Sequence, residues 1–148
     1  TGLKKKVTCV VGEGSFMMNI KELSTIQKYK LPINIILINN NGYSMVKQTQ
    51  DQWLESKYYA TSTSGGLSFP NFRNIALSFG LNYSIITNDS STDKIMKRAY
   101  ENRKPRIIEV IVDSNQRVSP QSRFGYPIED SDPMLSRKEF NSNMIIDN

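Results

Sequence analysis

Apolar positions in this chain fall into short runs separated by amphipathic stretches. Val7-Thr8-Cys9-Val10-Val11 is a β-branched run ending in Gly12, which predicts a buried strand. From Phe16 to Lys30 the apolar residues Met17, Ile20, Leu23 and Ile26 recur at helical spacing, with Lys21, Glu22, Gln27 and Lys28 between them. Leu31-Pro32 ends that helix, because proline cannot continue it. Ile33 to Ile38 is almost continuously apolar, as expected for a parallel strand covered on both faces. Ser44 to Lys57 reads as helical in part, and Tyr58 to Pro70, with Gly65-Gly66, as a loop. Asn71 to Phe79 is a short helix closed by Gly80. Tyr83 to Ile86 is a third strand. Ser91 to Arg103 is a helix with Ile95, Met96 and Ala99 inward, and Arg106 to Val112 is a fourth strand. Strands alternating with helices predict right-handed crossovers and an α/β fold, a parallel sheet with helices on both faces. Residues 1–113 form that domain. Residues 114–148 carry Pro120, Pro127 and Pro133 and no sustained strand pattern, and read as an extended C-terminal tail that wraps another surface. Within it, Ser136 to Glu139 fits a capping box at the start of a short helix.

Ligands of such sheets sit beyond the carboxyl ends of the strands. Two turns fall there: Gly12-Glu13-Gly14 after the first strand and Asn39-Asn40-Asn41-Gly42-Tyr43 after the second, with 24 residues between Gly14 and Asn39. Gly12 and Gly14 let backbone approach a ligand closely. Gly14, Ser15 and Phe16 open a helix whose N–H groups favour an anion, and Ser15 adds a hydroxyl. Glu13 makes sense beside a phosphate only with a cation between them. Asn40 offers an amide oxygen and Gly42 a main-chain carbonyl. With Glu13 and two phosphate oxygens these give most of the octahedral shell that magnesium prefers. Either turn alone is also what an ordinary tight bend looks like; the two together, at this spacing, point to a metal–diphosphate site. Met17 breaks a dinucleotide fingerprint, and the lysine of a P-loop is absent.

With 148 residues, 38% of them hydrophobic and 22% charged, the chain is large enough for one domain with a core. The net charge of +5 is spread along the sequence, so no nucleic-acid partner is expected. Lys4-Lys5-Lys6 reads as a solvated lead-in to the first strand. The single cysteine, Cys9, makes no intrachain disulfide and reads as a buried thiol in a reducing, cytoplasmic setting. With no histidine, serine–histidine and cysteine–histidine catalysis and histidine-ligated zinc are excluded. The first apolar run is too short for a signal peptide or a membrane span.

On Gly12-Glu13-Gly14, the 24-residue spacer, Asn39-Asn40 and their flanks, the sequence resembles the diphosphate-binding domain of thiamine diphosphate-dependent enzymes. The flanks are Ser15-Phe16-Met17-Met18-Asn19, Glu22-Leu23-Ser24-Thr25, Leu31-Pro32 and Asn41 to Val46. The likeness is strongest to the acetolactate synthase branch. Lys104-Pro105-Arg106 to Asp113 is similar to that family's last core strand. The resemblance implies thiamine diphosphate and Mg2+ as cofactors. It implies metal ligation by Glu13, Asn40 and Gly42, and cofactor contacts by Gly12, Gly14, Ser15, Asn40, Gly42, Tyr43 and Met45, with Met45 near the thiazolium. The implied activity is that of a 2-oxo acid carboligase or decarboxylase working as a homo-oligomer, a dimer or tetramer. The family's catalytic glutamate sits on a pyrimidine-binding domain, supplied by upstream sequence or another subunit. No catalytic residue is therefore assigned to this chain, which alone is expected to be inactive, as a fragment of a larger enzyme or one subunit of a split one. Three positions depart from the pattern. Glu13 replaces the usual aspartate, Thr49 stands where acetolactate synthases often carry tryptophan, and Val46 stands where pyruvate decarboxylases carry a protonating carboxylate. The alternative reading is a non-catalytic homologue for assembly or regulation, with a degenerate metal site. Substrate contacts from the tail near Arg123 to Pro127 and plain surface packing there both remain open.

Overall fold

The computed structural model describes residues 5–122 and 124–145. Four parallel strands form one sheet: β1 (Val7–Gly12), β2 (Ile33–Asn39), β3 (Asn82–Ile86) and β4 (Arg106–Ile111), in the order β1-β2-β4-β3. Cys9 lies opposite Ile35, Ile35 opposite Ile107, and Tyr83 opposite Ile107. This register brings the carboxyl ends of β1 and β2 side by side, so the two turns that follow them are neighbours.

The helices are α1 (Glu13–Met18), α2 (Glu22–Lys28), α3 (Ser44–Trp53), α4 (Phe72–Ser78) and α5 (Thr92–Glu101). Where the periodicity predicts one helix from Phe16 to Lys30, there are two. The N–H of Asn19 donates to the carbonyl of Phe16 at 3.1 Å, tightening the end of α1, and Glu22 N–H donates to Asn19 at 3.0 Å. Asparagine competes with helix interiors through local hydrogen bonding, so the break falls there while the apolar stripe continues across it. α2 stops at Lys28, four residues before Pro32. Lys30 takes a left-handed φ of 49°, and Leu31 N–H reaches back to the carbonyl of Ile26 at 3.0 Å. Gly80 closes α4 in the same way, with Leu81 N–H donating to Ala76 at 2.8 Å, and Asn71 caps its start by accepting from Asn74 N–H at 2.9 Å.

One sheet face packs Ile35, Leu37 and Ile107 against Phe16, Leu23, Phe72, Ala76 and Leu81. The other sets Ile86 and Ile108 against Ala99, with Ile95 and Met96 of α5 alongside. β1 departs from the buried strand predicted for it. It is an edge strand with Val7, Cys9 and Val10 all exposed, so Cys9 is an exposed thiol rather than a buried one. Lys6 also departs from the solvated role. Its ammonium donates to the carbonyls of Ala99, Tyr100 and Asn102 at the end of α5, where the helix dipole favours a cation. Burial, then the charges of Arg106 and Arg103, hold the Lys6 ammonium pKa below its ordinary value.

The chain divides into two compact units, one ending at Gln116 and the other beginning at Arg117. In the second, Gln121 and Asp132 form an antiparallel bridge, and α6 (Arg137–Asn143) begins where the capping box predicts, Ser136 accepting from Glu139 N–H at 3.3 Å. Arg123 lies outside the described residues; Phe124 is exposed. Arg137 grips Asp130 through two hydrogen bonds of 2.9 and 2.8 Å, which hold the Asp130 carboxyl below the usual carboxylate range.

Two expectations follow. Leu37 is fully buried in β2, so Leu37→Ala should cost about 3 kcal/mol in denaturant unfolding, while Val10→Ala on the open edge should cost under about 0.5 kcal/mol. The Asp130–Arg137 contribution is present above the unfolded aspartate pKa of about 4 and is lost as pH falls through the depressed folded value. Arg137→Gln should therefore raise the Asp130 titration midpoint measured by NMR; an unchanged midpoint would contradict this account.

Candidate functional site

Glu13 opens α1 and is only 2% exposed. A carboxylate removed from water needs donors. Its Oε1 accepts from the backbone N–H of Gly42 at 2.9 Å and of Asn40 at 3.2 Å. The turn after β1 is thereby tied to the turn after β2.

The second turn has further supports. Asn41 sits in the left-handed region at φ 58°, and the Oδ1 of Asn39 accepts from its N–H at 2.9 Å. The Nδ2 of Asn39 donates to Oε1 of Glu109 at 2.6 Å, and the Tyr83 hydroxyl donates to the other oxygen of Glu109. Burial, reinforced by that bond, pushes the Tyr83 pKa well up, so the phenol stays a donor. Tyr43 N–H donates to the Thr61 carbonyl at 3.0 Å, and Gly42 bridges Ser62 in antiparallel fashion. Thr61 in turn donates to Oε1 of Gln50 at 2.5 Å, fastening the 58–67 loop to α3.

All the residues singled out from the sequence as cofactor or metal contacts line one cavity of about 450 Å³. Gly12, Glu13, Gly14 and Ser15 come from one turn, and Asn40, Gly42, Tyr43 and Met45 from the other. A Cβ on Gly14 would run into the Tyr43 ring, which also stacks edge-on against Phe69 at 5.8 Å. Met45 and Val46 are largely exposed, leaving the cavity open along α3. Thr49 is exposed and donates back to the Met45 carbonyl at 3.3 Å. It does not line the cavity.

Two polar atoms at this site are buried without a hydrogen-bond partner among the described residues, Oδ1 of Asn40 and Oγ of Ser44. Native structures rarely leave such groups unpaired, so each marks the place of a missing partner. Sequence reasoning singles out Asn40 and misses Ser44. A serine just after Tyr43 reads as an ordinary helix start, and nothing in its spacing tells it from one. Among the described residues no three Asp, Glu, Cys or His side chains gather to hold a metal. The oxygens these turns could offer a cation are the Glu13 carboxylate, the Asn40 amide oxygen and the Gly42 carbonyl, all lining the cavity. Such hard, sparse ligation suits magnesium when phosphate oxygens complete the shell.

Gly42 cannot accept a side chain, since a Cβ would sit 2.8 Å from the Thr61 carbonyl oxygen. Gly42→Ala should break the Tyr43–Thr61 bond and destabilise the chain by about 1–3 kcal/mol. Urea unfolding together with Tyr43 amide exchange measures both effects.

Residues 1–110 match the family described as thiamine pyrophosphate enzyme, C-terminal TPP binding domain. The chain is 35% identical over 114 residues to the acetolactate synthase large subunit of Porphyra purpurea, covering 77% of this chain and 19% of that protein. It is 33% identical over 116 residues to the acetolactate synthase isozyme 1 large subunit of Escherichia coli K12, covering 78% and 20%. The chain thus spans about a fifth of the length of these relatives. Its fold superposes with a TM-score of 0.68 on the thiamine diphosphate-dependent 4-hydroxybenzoylformate decarboxylase of Rhodococcus jostii RHA1. That match has 20% identity and covers 77% of this chain and 21% of that one. With paired turns, a parallel sheet and a family match over most of its length, the chain belongs to the thiamine pyrophosphate enzymes, as their C-terminal TPP binding domain, of the acetolactate synthase-like kind.

Proposed function

We propose that this chain forms the diphosphate- and magnesium-binding portion of a thiamine diphosphate-dependent, acetolactate synthase-like enzyme acting on a 2-oxo acid. The observation that carries the reading is the orphaned, buried Oδ1 of Asn40, set beside the buried carboxylate of Glu13. An acceptor and a carboxylate out of water at the same place call for a cation. Glu13, Asn40 and the Gly42 carbonyl would hold Mg2+. The Glu13 oxygen not engaged by the Asn40 and Gly42 amides is the one offered to the metal.

Gly12, Gly14 and Ser15 would bind the diphosphate, with no side chain at the two glycines to hold it off. Tyr43, packed on Gly14, would shape the floor of the cavity, and Met45 would line the thiazolium side. When bound, the cofactor supplies the nucleophilic carbon and electron sink that 2-oxo acid decarboxylation and ligation require. This chain's residues bind and orient it. They include no group assigned to activate the aminopyrimidine, which is the task of a pyrimidine-binding domain elsewhere in a homo-oligomeric assembly.

Calorimetric titration of thiamine diphosphate with and without magnesium tests the reading. Binding should require magnesium, and Asn40→Ala should weaken it about tenfold or more. Binding of equal strength in a chelator would sink the magnesium assignment. Complete failure to bind by the folded, assembled enzyme would sink the cofactor assignment.

A further inference from the structure

Two carboxylates hold the turn after β2, and only Glu13 lines the cavity. Glu109 is buried at 6% exposure on β4, in register with Leu37. Ile107, two residues earlier on the same face of the strand, lies in the apolar core. A carboxylate there is costly unless bonded, and an ionised one only accepts. Its two bonds are those from Tyr83 and Asn39.

The bond to Asn39 has a directional consequence. An amide carries donors on one side and an acceptor on the other. With its NH2 group drawn to Glu109, Asn39 must turn its oxygen toward the Asn41 N–H, where it is found at 2.9 Å. That bond supports the left-handed conformation of Asn41, which a non-glycine residue adopts at a cost. Asn41 stands between Asn40 and Gly42, the two residues offered to the cation from this turn.

We propose that Glu109 is a positioning residue for the metal turn: through Asn39 it fixes the bend that aims Asn40 Oδ1 and the Gly42 carbonyl. The proposal rests on the metal-binding reading of that turn. Glu109 itself touches neither metal nor cofactor. An apolar residue at 109 would leave Asn39 free to rotate its amide and release Asn41. A glutamine would preserve the arrangement, because its oxygen accepts from Asn39 while its NH2 donates to the Tyr83 oxygen.

Amide hydrogen exchange on the full chain, read residue by residue, separates this role from general stability. Glu109→Leu should speed exchange at Asn41 and Gly42 by at least about tenfold relative to Leu37 and Ile107 in the sheet, and Glu109→Gln should not. In parallel, magnesium-dependent thiamine diphosphate affinity should fall in Glu109→Leu and return in Glu109→Gln. Unchanged turn amides overturn the proposal, and so does equal loosening of turn and sheet, which would make Glu109 merely structural. If Glu109→Leu does not fold, Asn39→Ala removes the same relay and must loosen the same two amides; if it leaves them protected, the proposal fails. Loosened turn amides in a protein whose wild type shows no magnesium dependence would uphold the positioning and overturn the metal reading.

Discussion

The bond between the Glu13 carboxylate and the N–H groups of Asn40 and Gly42 joins everything that matters in this domain. Parallel register brings the ends of β1 and β2 together, but strand pairing stops at the turns. Beyond that point Glu13 is what carries one turn to the other. The side chain is a methylene longer than the aspartate of the family pattern. That length is accommodated here: the carboxylate is buried and doubly bonded, not directed to solvent.

The remaining supports of the site are arranged around this tie. The 58–67 loop presents the Thr61 carbonyl to Tyr43, and Gln50 of α3 holds Thr61 from the other side. Gly14 and Gly42 are glycines for different reasons. Gly14 leaves room for the edge of the Tyr43 ring, and Gly42 leaves room for a backbone oxygen. Each N–H from Asn40 to Tyr43 has a partner. What stays unpaired is Asn40 Oδ1, an acceptor, and the Ser44 hydroxyl, which both donates and accepts. A turn with its backbone donors satisfied and a buried amide oxygen left over can meet something positively charged or donating.

The strand–helix alternation was legible because it is written locally. Ile33 to Ile38 needs no distant partner to read as a parallel strand, and Gly80 marks the end of α4 by its own backbone freedom. The two turns were legible because chemistry and topology agreed on one place. What escaped depends on residues far apart in sequence. Asn39 and Glu109 are 70 positions apart, and the Arg106 to Ile111 run shows Glu109 only as a polar interruption in an apolar strand. Lys6 finds its partners more than 90 residues away at the end of α5. Cys9 looks like a core residue until the sheet order puts β1 at an edge. The break between α1 and α2 was hidden for another reason: Met17, Ile20 and Leu23 keep their spacing straight through it.

That open edge has a practical side. Among the described residues, β1 pairs only with β2, so its outer row of N–H and C=O groups is a template for strand addition. Val7 and Val10 stand exposed on the two faces of the same strand, and Cys9 presents a thiol there. Two copies of the chain meeting edge to edge would bury apolar surface and bring two thiols into one neighbourhood. A dimer seen with this polypeptide alone, above all under oxidising conditions, therefore reports first on this sheet edge and its thiol.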